Sequence, residues 1–541
     1  MKKTIILLLV VVISAILFFP LLGRIHLFDW DEINFAECAR EMIVSGNYSM
    51  VQIDFLPFWE KPPLFIWMQV VSMKLWGINE YAARFPNALC GVITLIALFL
   101  IGSRLKSERL GIVWVAAYIC SVLPFLYFKS GIIDPWFNLF IFLSIYSLFE
   151  YLRSSGRWKE LSWSLLSAAL LGLAILTKGP VAGLIWFLAL FVLIIIRRFR
   201  FPLHGIAIAG FIFILILVGG SWFFLIALQG NYDTVADFIH YQIRLFSSQD
   251  AGHGGSFLYH LVVLFLGLFP VSLFFVLGFR EKNSSDADLV LFKKIMIILF
   301  FIVLILFSIV KTKIIHYSSL CYFPMTFLAA MYIDARWTQQ QSLPKAISVI
   351  IVTIFGLLVL ATAAVPILLS NPAWIIPYIN DPFAVACLNA SVAWTAIDYL
   401  PAFILFVGIL VYLYHRKSPA KRQFLILGVT SLLFIIGAIL IYPKKVEMYS
   451  QNSLIEFCKS MKGKDVYLKS ASFKSYAPLF YGDKQPVSNP ISRFNRWLVK
   501  GDVDKPVYLV TKVNKLEKLL KQNPQLSVIY KQNGYAFLIR K

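Results

Sequence analysis

Long apolar runs separated by short polar ones dominate the chain. A helix needs roughly 17–25 apolar residues to cross a hydrocarbon core about 30 Å thick. Runs of that kind recur near 5–22, 83–101, 110–128, 132–151, 161–177, 181–196, 206–228, 257–277, 295–310, 314–333, 346–369, 399–414 and 424–442. They predict about thirteen membrane spans. The opening run is too long for the apolar part of a typical signal peptide and lacks a cleavage site, so a retained first helix is expected. The run at 64–76 is below spanning length and is expected to lie along the membrane surface.

The pattern changes at about Pro443. The remaining residues are polar and Lys-rich, with strand-like runs at 465–470, 506–511 and 535–541 and helix-like runs at 453–461 and 513–522. Strands alternating with helices predict a small α/β domain over 443–541, outside the membrane. It carries no nucleotide loop and no catalytic cluster. Residues 1–442 then form a polytopic α-helical membrane domain.

Composition agrees: 59% of the 541 residues are hydrophobic and 14% charged. The formal net charge of +22 is mostly a topology signal. With the N-terminus in the cytoplasm, each short inner loop is basic, from Arg104, Lys106 and Arg109 through to Arg416, Lys417, Lys421 and Arg422. An odd number of spans places the C-terminal domain on the extracytoplasmic side of the cytoplasmic membrane. No nucleic-acid motif accompanies the charge. The six cysteines show no paired spacing, which argues against a disulfide framework or a Cys-rich zinc site.

Only 28 residues are acidic, yet the outer loop 24–83 gathers Asp29, Asp31, Glu32, Glu37, Glu41, Asp54 and Glu60 with Arg40 and Lys61. Phe28, Trp30, Phe55, Phe58, Trp59 and Pro62-Pro63 run among them. That mixture suits a folded cap in the membrane interface better than a solvated loop. Asp31 and Glu32 open a predicted helix, and Asp134 precedes Pro135 at another helix start. Each is either a cap or a carboxylate that takes a proton from an incoming hydroxyl or amine.

Lysines break the topology rule at the outer turns: Lys129, Lys178, Lys311 and Lys313. Snorkelling explains any one of them. Together they predict a basic pocket facing the cap, with phosphate as its occupant. The segment 237–260 adds Arg244, His240 and His253. Histidine with Glu60 or an aspartate is a candidate site for a divalent metal ion, although the spacing fits no compact metal motif.

These residues form ordered motifs: DE-x-x-x-A-x-x-A-R-E-M from Asp31, F-x-E-K-P-P ending at Pro63, N-E-x-x-A-R-x-P from Asn79, the outer-turn Asp134, L-T-K-G at 176–179 and K-x-K-x-x-x-Y from Lys311. The set resembles the lipid A aminoarabinose transferase and protein O-mannosyltransferase group of integral-membrane glycosyltransferases. The resemblance implies a GT-C fold and inverting transfer of a sugar from a polyprenyl-phosphate carrier to a lipid A, envelope-glycan or protein acceptor at the outer face. By motif, Asp31 is the base or an acceptor-orienting carboxylate, Glu60 a metal ligand and Lys61 a contact to the carrier phosphate. Asp134, Lys178, Lys311, Lys313 and Tyr317 line the same cavity. A Glu-His pair common after the seventh span is replaced here by His240-Tyr241-Gln242, which makes His253 an alternative ligand. A transporter or flippase of a lipid-linked anion is the rival reading, though it lacks mid-span charges and an inverted repeat.

Overall fold

In lipid each backbone N–H and C=O must be satisfied within the chain, so apolar runs become helices. The computed structural model describes residues 2–198, 204–247, 254–281, 286–487 and 489–540. Among the described residues, seven helices are long and apolar enough to cross a membrane, or up to nine spans if each of two bent pairs counts as one. Every expected span contains helix, but several break off short. Lys2–Phe18 has 17 residues, Val181–Ile196 has 16, and Glu108–Ile119 has 12 before a break at Ser121. The pair Tyr259–Gly267 and Val271–Arg280 bends by 107°. Pro270, at that break, has no N–H to continue the ladder. Tyr322–Trp337 is shortened because its outer approach winds as a 3-10 helix over Ile315–Cys321. That tighter winding carries His316 and Tyr317 toward the cavity described below.

Aromatic contacts fill the helical core. Trp114 lies 4.8 Å from the ring of Phe327, and Phe142 stacks on Phe323 at 4.2 Å. A second cluster sits above it, where the cap helix Asp31–Ser45 buries Cys38, Ala39 and Met42 among Ile66, Val70, Ile455, Phe457 and Phe537. The cap is therefore packed between membrane helices and the C-terminal segment. The helix Leu64–Trp76 supports the cap on one side and exposes Val71, Leu75 and Trp76 on the other. A two-residue ladder, β1 (Gln52–Ile53) with β2 (Leu56–Pro57), closes the cap.

The C-terminal segment forms a four-stranded sheet from β3 (Tyr467–Ser470), β4 (Val507–Lys512), β5 (Leu526–Gln532) and β6 (Tyr535–Arg540), ordered β3-β4-β6-β5. β3 and β4 run parallel, and the other pairs are antiparallel. Three strands lie where the alternation predicts them. β5 is the addition, a run that is exposed everywhere but at Leu526 and carries a weak apolar signal. The expected boundary at Pro443 falls inside the helix Ala420–Tyr449, so the change of composition precedes the end of the helix. The segment between the helices ending at Ser370 and starting at Leu400 also docks here, through Phe383 against Tyr535 at 5.3 Å.

The bent pair packs on Tyr322–Trp337 by close backbone approach at Gly278, where a Cβ would lie 2.2 Å from the Leu328 carbonyl oxygen. Gly356 has nothing within 4 Å of such a Cβ. Overpacking costs about 1–3 kcal/mol. Gly278→Ala should therefore lower the melting temperature in detergent, followed by tryptophan fluorescence, while Gly356→Ala leaves it unchanged or raised.

Candidate functional site

The site is assembled around a buried ion pair. Glu32, in the first turn of the cap helix, accepts from Arg84 Nε at 2.9 Å and from Arg84 Nη2 at 2.7 Å. Its oxygens also accept the backbone N–H groups of Phe28 at 2.9 Å and Gly131 at 2.6 Å. Arg84 in turn donates to the carbonyls of Leu22, Ile25 and His26. Burial alone would push the Glu32 carboxyl up, but Arg84 and the two N–H groups hold it below the ordinary glutamate value. Asn87 completes the clamp, with Nδ2 donating to Ser130 O and Ile132 O at 2.6 Å each. The turn before Asp134 is thereby fixed to the start of the cap.

Asp31 sits one residue before that clamp. Trp30 precedes it at φ 78°, a strained backbone for a side chain of that size, and makes no side-chain cap. The strain is held from the C-terminal side. Gln451 Oε1 accepts from Asp29 N at 3.0 Å, Asp29 Oδ1 accepts from Tyr476 N at 3.1 Å, and Lys474 Nζ lies 5.2 Å from the Trp30 ring. Asp29 thus ties the loop to the C-terminal segment. Asp31 is left with its side chain 44% exposed.

A cavity of about 890 Å³ opens beside it, lined among others by Asp31, Glu60, Lys61, Asp134, Lys178 and His316. Asp134 is buried at 3% exposure, and its Oδ1 pairs with Lys178 Nζ. Neither Asp134 nor Asp31 caps its own helix. His316 Nε2 lies 3.5 Å from Asp31 Oδ2 and 3.7 Å from Asp134 Oδ2. Lys178 rests over the Tyr317 ring at 4.8 Å. Lys61 Nζ faces the Tyr241 ring at 5.3 Å, and Tyr241 donates to Glu60 Oε2 at 3.1 Å. Burial, with Lys178 nearby, keeps the Lys61 pKa below the ordinary lysine value despite Glu60.

The predicted residues divide into two groups. Asp31, Asp134, Glu60, Lys61, Lys129, Lys178, Arg244 and Tyr317 line the cavity. Lys129 also donates to the Pro20 carbonyl at 2.7 Å, and burial pushes its pKa down to about 8. Glu32 touches the cavity too, but both oxygens are spent on Arg84 and backbone N–H groups, so its role is to clamp rather than to take a proton. Lys313 is turned away: its Nζ donates to the carbonyls of Phe307, Ser308 and Val310, capping a helix end. Lys311 is exposed outside the cavity wall. Their i, i+2 spacing across a helix end points the two lysines apart, which the motif alone does not reveal. His240 is exposed and also outside the wall, and His253 lies outside the described residues. Among the described residues no three of His, Cys, Asp and Glu come together as metal ligands. His316 is the residue the motif reading passed over, although it lies within K-x-K-x-x-x-Y.

A second polar network locks the cap. Arg40 holds Glu37 through Nε and Nη2 at 2.7 Å each and reaches Asp483 and the Lys484 carbonyl on the C-terminal segment. Lys484 Nζ returns to Asp54. Glu41 receives the N–H groups of Asp54 and Phe55 at 2.7 Å each. Those two residues adopt positive φ in the turn between β1 and β2, so the carboxylate holds a strained turn shortly before Glu60 and Lys61. Burial and the neighbouring Glu37 push the Glu41 pKa up to about 9.

The fold is that of integral-membrane glycosyltransferases. The chain aligns with ArnT from Cupriavidus metallidurans bound to undecaprenyl phosphate at a TM-score of 0.81 and 17% identity, covering 99% of this chain and 98% of that one. It aligns more loosely, at a TM-score of 0.52 and 9% identity over 95% of this chain and 70% of that one, with the archaeal oligosaccharyltransferase AglB from Archaeoglobus fulgidus in complex with an inhibitory peptide and a dolichol-phosphate. In sequence, residues 60–222 match the family model described as dolichyl-phosphate-mannose-protein mannosyltransferase. The undecaprenyl phosphate-alpha-4-amino-4-deoxy-L-arabinose arabinosyl transferase of Pectobacterium carotovorum subsp. carotovorum is 27% identical over 62% of this chain and 59% of its own length. The protein of that description from Edwardsiella ictaluri is 30% identical over 58% and 57%. The matched stretches thus span less than two thirds of these relatives.

The raised Glu41 pKa has a stability consequence. A carboxyl protonated more tightly in the folded than in the unfolded state stabilises fully below its unfolded pKa, and that contribution is lost as pH rises through the folded value. Between about pH 4.5 and pH 9 the wild type should therefore lose stability relative to Glu41→Gln, which cannot ionise. Melting curves of both proteins across that range check it; parallel curves would mean that Glu41 is ionised in the fold.

Proposed function

We propose that this chain is an inverting glycosyltransferase that moves a sugar from a polyprenyl-phosphate carrier to a lipid A, envelope-glycan or protein acceptor. The cavity faces the extracytoplasmic side of the cytoplasmic membrane in this reading, with the N-terminus inside and the C-terminal sheet outside. The supporting observation is the pairing of a half-exposed carboxylate, Asp31, with a partly buried cation, Lys61, on one wall-to-wall cavity between membrane helices and cap. The names of the relatives and the carrier bound to the structural neighbour agree with that chemistry.

A polyprenyl phosphate is already a good leaving group. The site therefore has two tasks: to stabilise charge on the departing phosphate and to hold the acceptor in line. Lys61 serves the first, with Lys129 and Arg244 on the same wall. An ammonium in a water-poor cavity gains more from a phosphate than it would in water. Asp31 serves the second by accepting the proton of the acceptor hydroxyl as its oxygen bonds to the anomeric carbon. Asp134 is held by Lys178 and is less free to act as base. Should a divalent metal ion join the carrier phosphate, Glu60 is the carboxylate on the wall that would hold it.

Asp31→Asn preserves shape and should leave carrier binding intact while lowering turnover at least about a hundredfold, the lower bound of a general-base contribution. Lys61→Ala should weaken binding of undecaprenyl phosphate, and Lys61→Arg should restore it only in part, because a planar fork replaces a point charge. Transfer of 4-amino-4-deoxy-L-arabinose from undecaprenyl phosphate to lipid A, followed by mass spectrometry beside a vesicle transport assay, reads both. Flipping of the donor without transfer would replace the transferase by a transporter.

A further inference from the structure

We infer that His316 is a positioning residue of the transfer reaction, aiming Asp31 at the acceptor and linking it to the buried Asp134–Lys178 pair; this rests on the transferase reading above. The geometry is a line of four polar side chains. Lys178 Nζ engages Asp134 Oδ1, Asp134 Oδ2 faces His316 Nε2 at 3.7 Å, and the same nitrogen faces Asp31 Oδ2 at 3.5 Å. Asp134 is thus held by Lys178 through Oδ1 and turns Oδ2 toward the imidazole. At Asp31 the imidazole faces Oδ2 and not Oδ1, and the side chain is 44% exposed on the cavity wall. These lengths exceed a formed hydrogen bond, and side-chain contacts of this kind close when substrate enters and water leaves.

The chain invests in holding this imidazole. Its backbone carbonyl accepts from Tyr127 Oη–H at 3.0 Å and from Ser319 Oγ–H at 2.5 Å. Ser319 Oγ is itself gripped by Tyr127 and by Asn138 Nδ2 at 2.7 Å. The 3-10 winding over Ile315–Cys321 turns the ring inward, leaving its side chain 17% exposed. The Tyr127 ring packs in the core against Tyr322, while its hydroxyl and the Asn138 amide fix the direction of this loop.

In the reaction, the acceptor hydroxyl oxygen bonds to the anomeric carbon while the bond from that carbon to the carrier phosphate oxygen breaks. The bonding pair leaves with the phosphate, and the hydroxyl proton passes to Asp31 Oδ1. His316 neither gains nor loses a proton in this step. Its Nε2–H donates to Asp31 Oδ2, so that Oδ1 points at the hydroxyl and not into the wall. Without it, Asp31 and Asp134 would face each other with no donor between them, Lys178 lying on the far side of Asp134.

The test compares wild type, His316→Ala and His316→Gln in the donor-to-lipid A assay, each with and without added imidazole. His316→Ala should lose about a hundredfold in kcat with little change in the donor KM, because the residue acts on a catalytic carboxylate and not on the carrier. Imidazole should restore part of that loss in His316→Ala and have no effect on wild type. His316→Gln, which keeps a side-chain N–H, should fall between the two. A kcat near that of wild type in both variants would overturn the assignment, as would a loss that appears only in KM or that imidazole leaves untouched in a variant melting like wild type. Wild type that binds undecaprenyl phosphate yet transfers nothing would instead remove the transferase reading itself.

Discussion

A buried carboxylate and a buried guanidinium hold this molecule's chemistry in place. Glu32 and Arg84 are both nearly inaccessible, and each spends its remaining hydrogen-bonding capacity on backbone. Charges removed from water in this way are costly unless every lone pair and proton is used, and breaking such a pair costs about 3–5 kcal/mol. The arrangement joins the loop after the first helix, the cap helix, the helix Glu80–Leu105 and the turn before Asp134 at one point. Asp31 and Asp134 come from segments a hundred residues apart, and the clamp is what brings both to one cavity.

The C-terminal segment has a physical part in that arrangement. Gln451 and Tyr476 bind Asp29, Tyr481 accepts from Leu27 N at 2.7 Å, and Asp483 and Lys484 grip Arg40 and Asp54. The strained backbone at Trp30 and the positive-φ turn at Asp54–Phe55 both lie under these contacts. Isolated strain of this sort would relax; here the surrounding hydrogen bonds determine it. The C-terminal segment, through residues outside its strands, thus acts as a keeper of the cap, and through Asp54 and the β1–β2 turn it reaches the loop that bears Lys61.

Much of this was legible in the chain because membrane physics leaves strong marks. Apolar run length gave the helices, and period-two alternation gave three strands of the sheet. Breaks inside spans were not legible, since a helix ending at Ile119 and one continuing differ by packing and not by hydropathy. The acidic cap is legible in the sequence as an excess of carboxylates where basic residues are otherwise the rule. The roles within it were not separable. Glu32 and Asp31 are neighbours of like charge, and only the position of Arg84, distant in sequence, makes one a clamp and leaves the other exposed. Lys313 and Lys178 look alike as outer-turn lysines, yet one caps carbonyls and the other meets Asp134. His316 carries no signal of its own within K-x-K-x-x-x-Y, because its position beside Asp31 and Asp134 arises only from the 3-10 turn.

The central claim is that carrier phosphate and acceptor meet in the cavity between cap and membrane helices, at Lys61 and Asp31. An experimental structure of the wild-type protein in lipid nanodiscs with undecaprenyl phosphate tests it most directly. The account predicts phosphate density inside that cavity, within hydrogen-bond reach of Lys61 Nζ, with the prenyl chain leaving between membrane helices and Asp31 open toward the acceptor side. Phosphate bound at Lys311 on the outside, with the cavity empty, would contradict it.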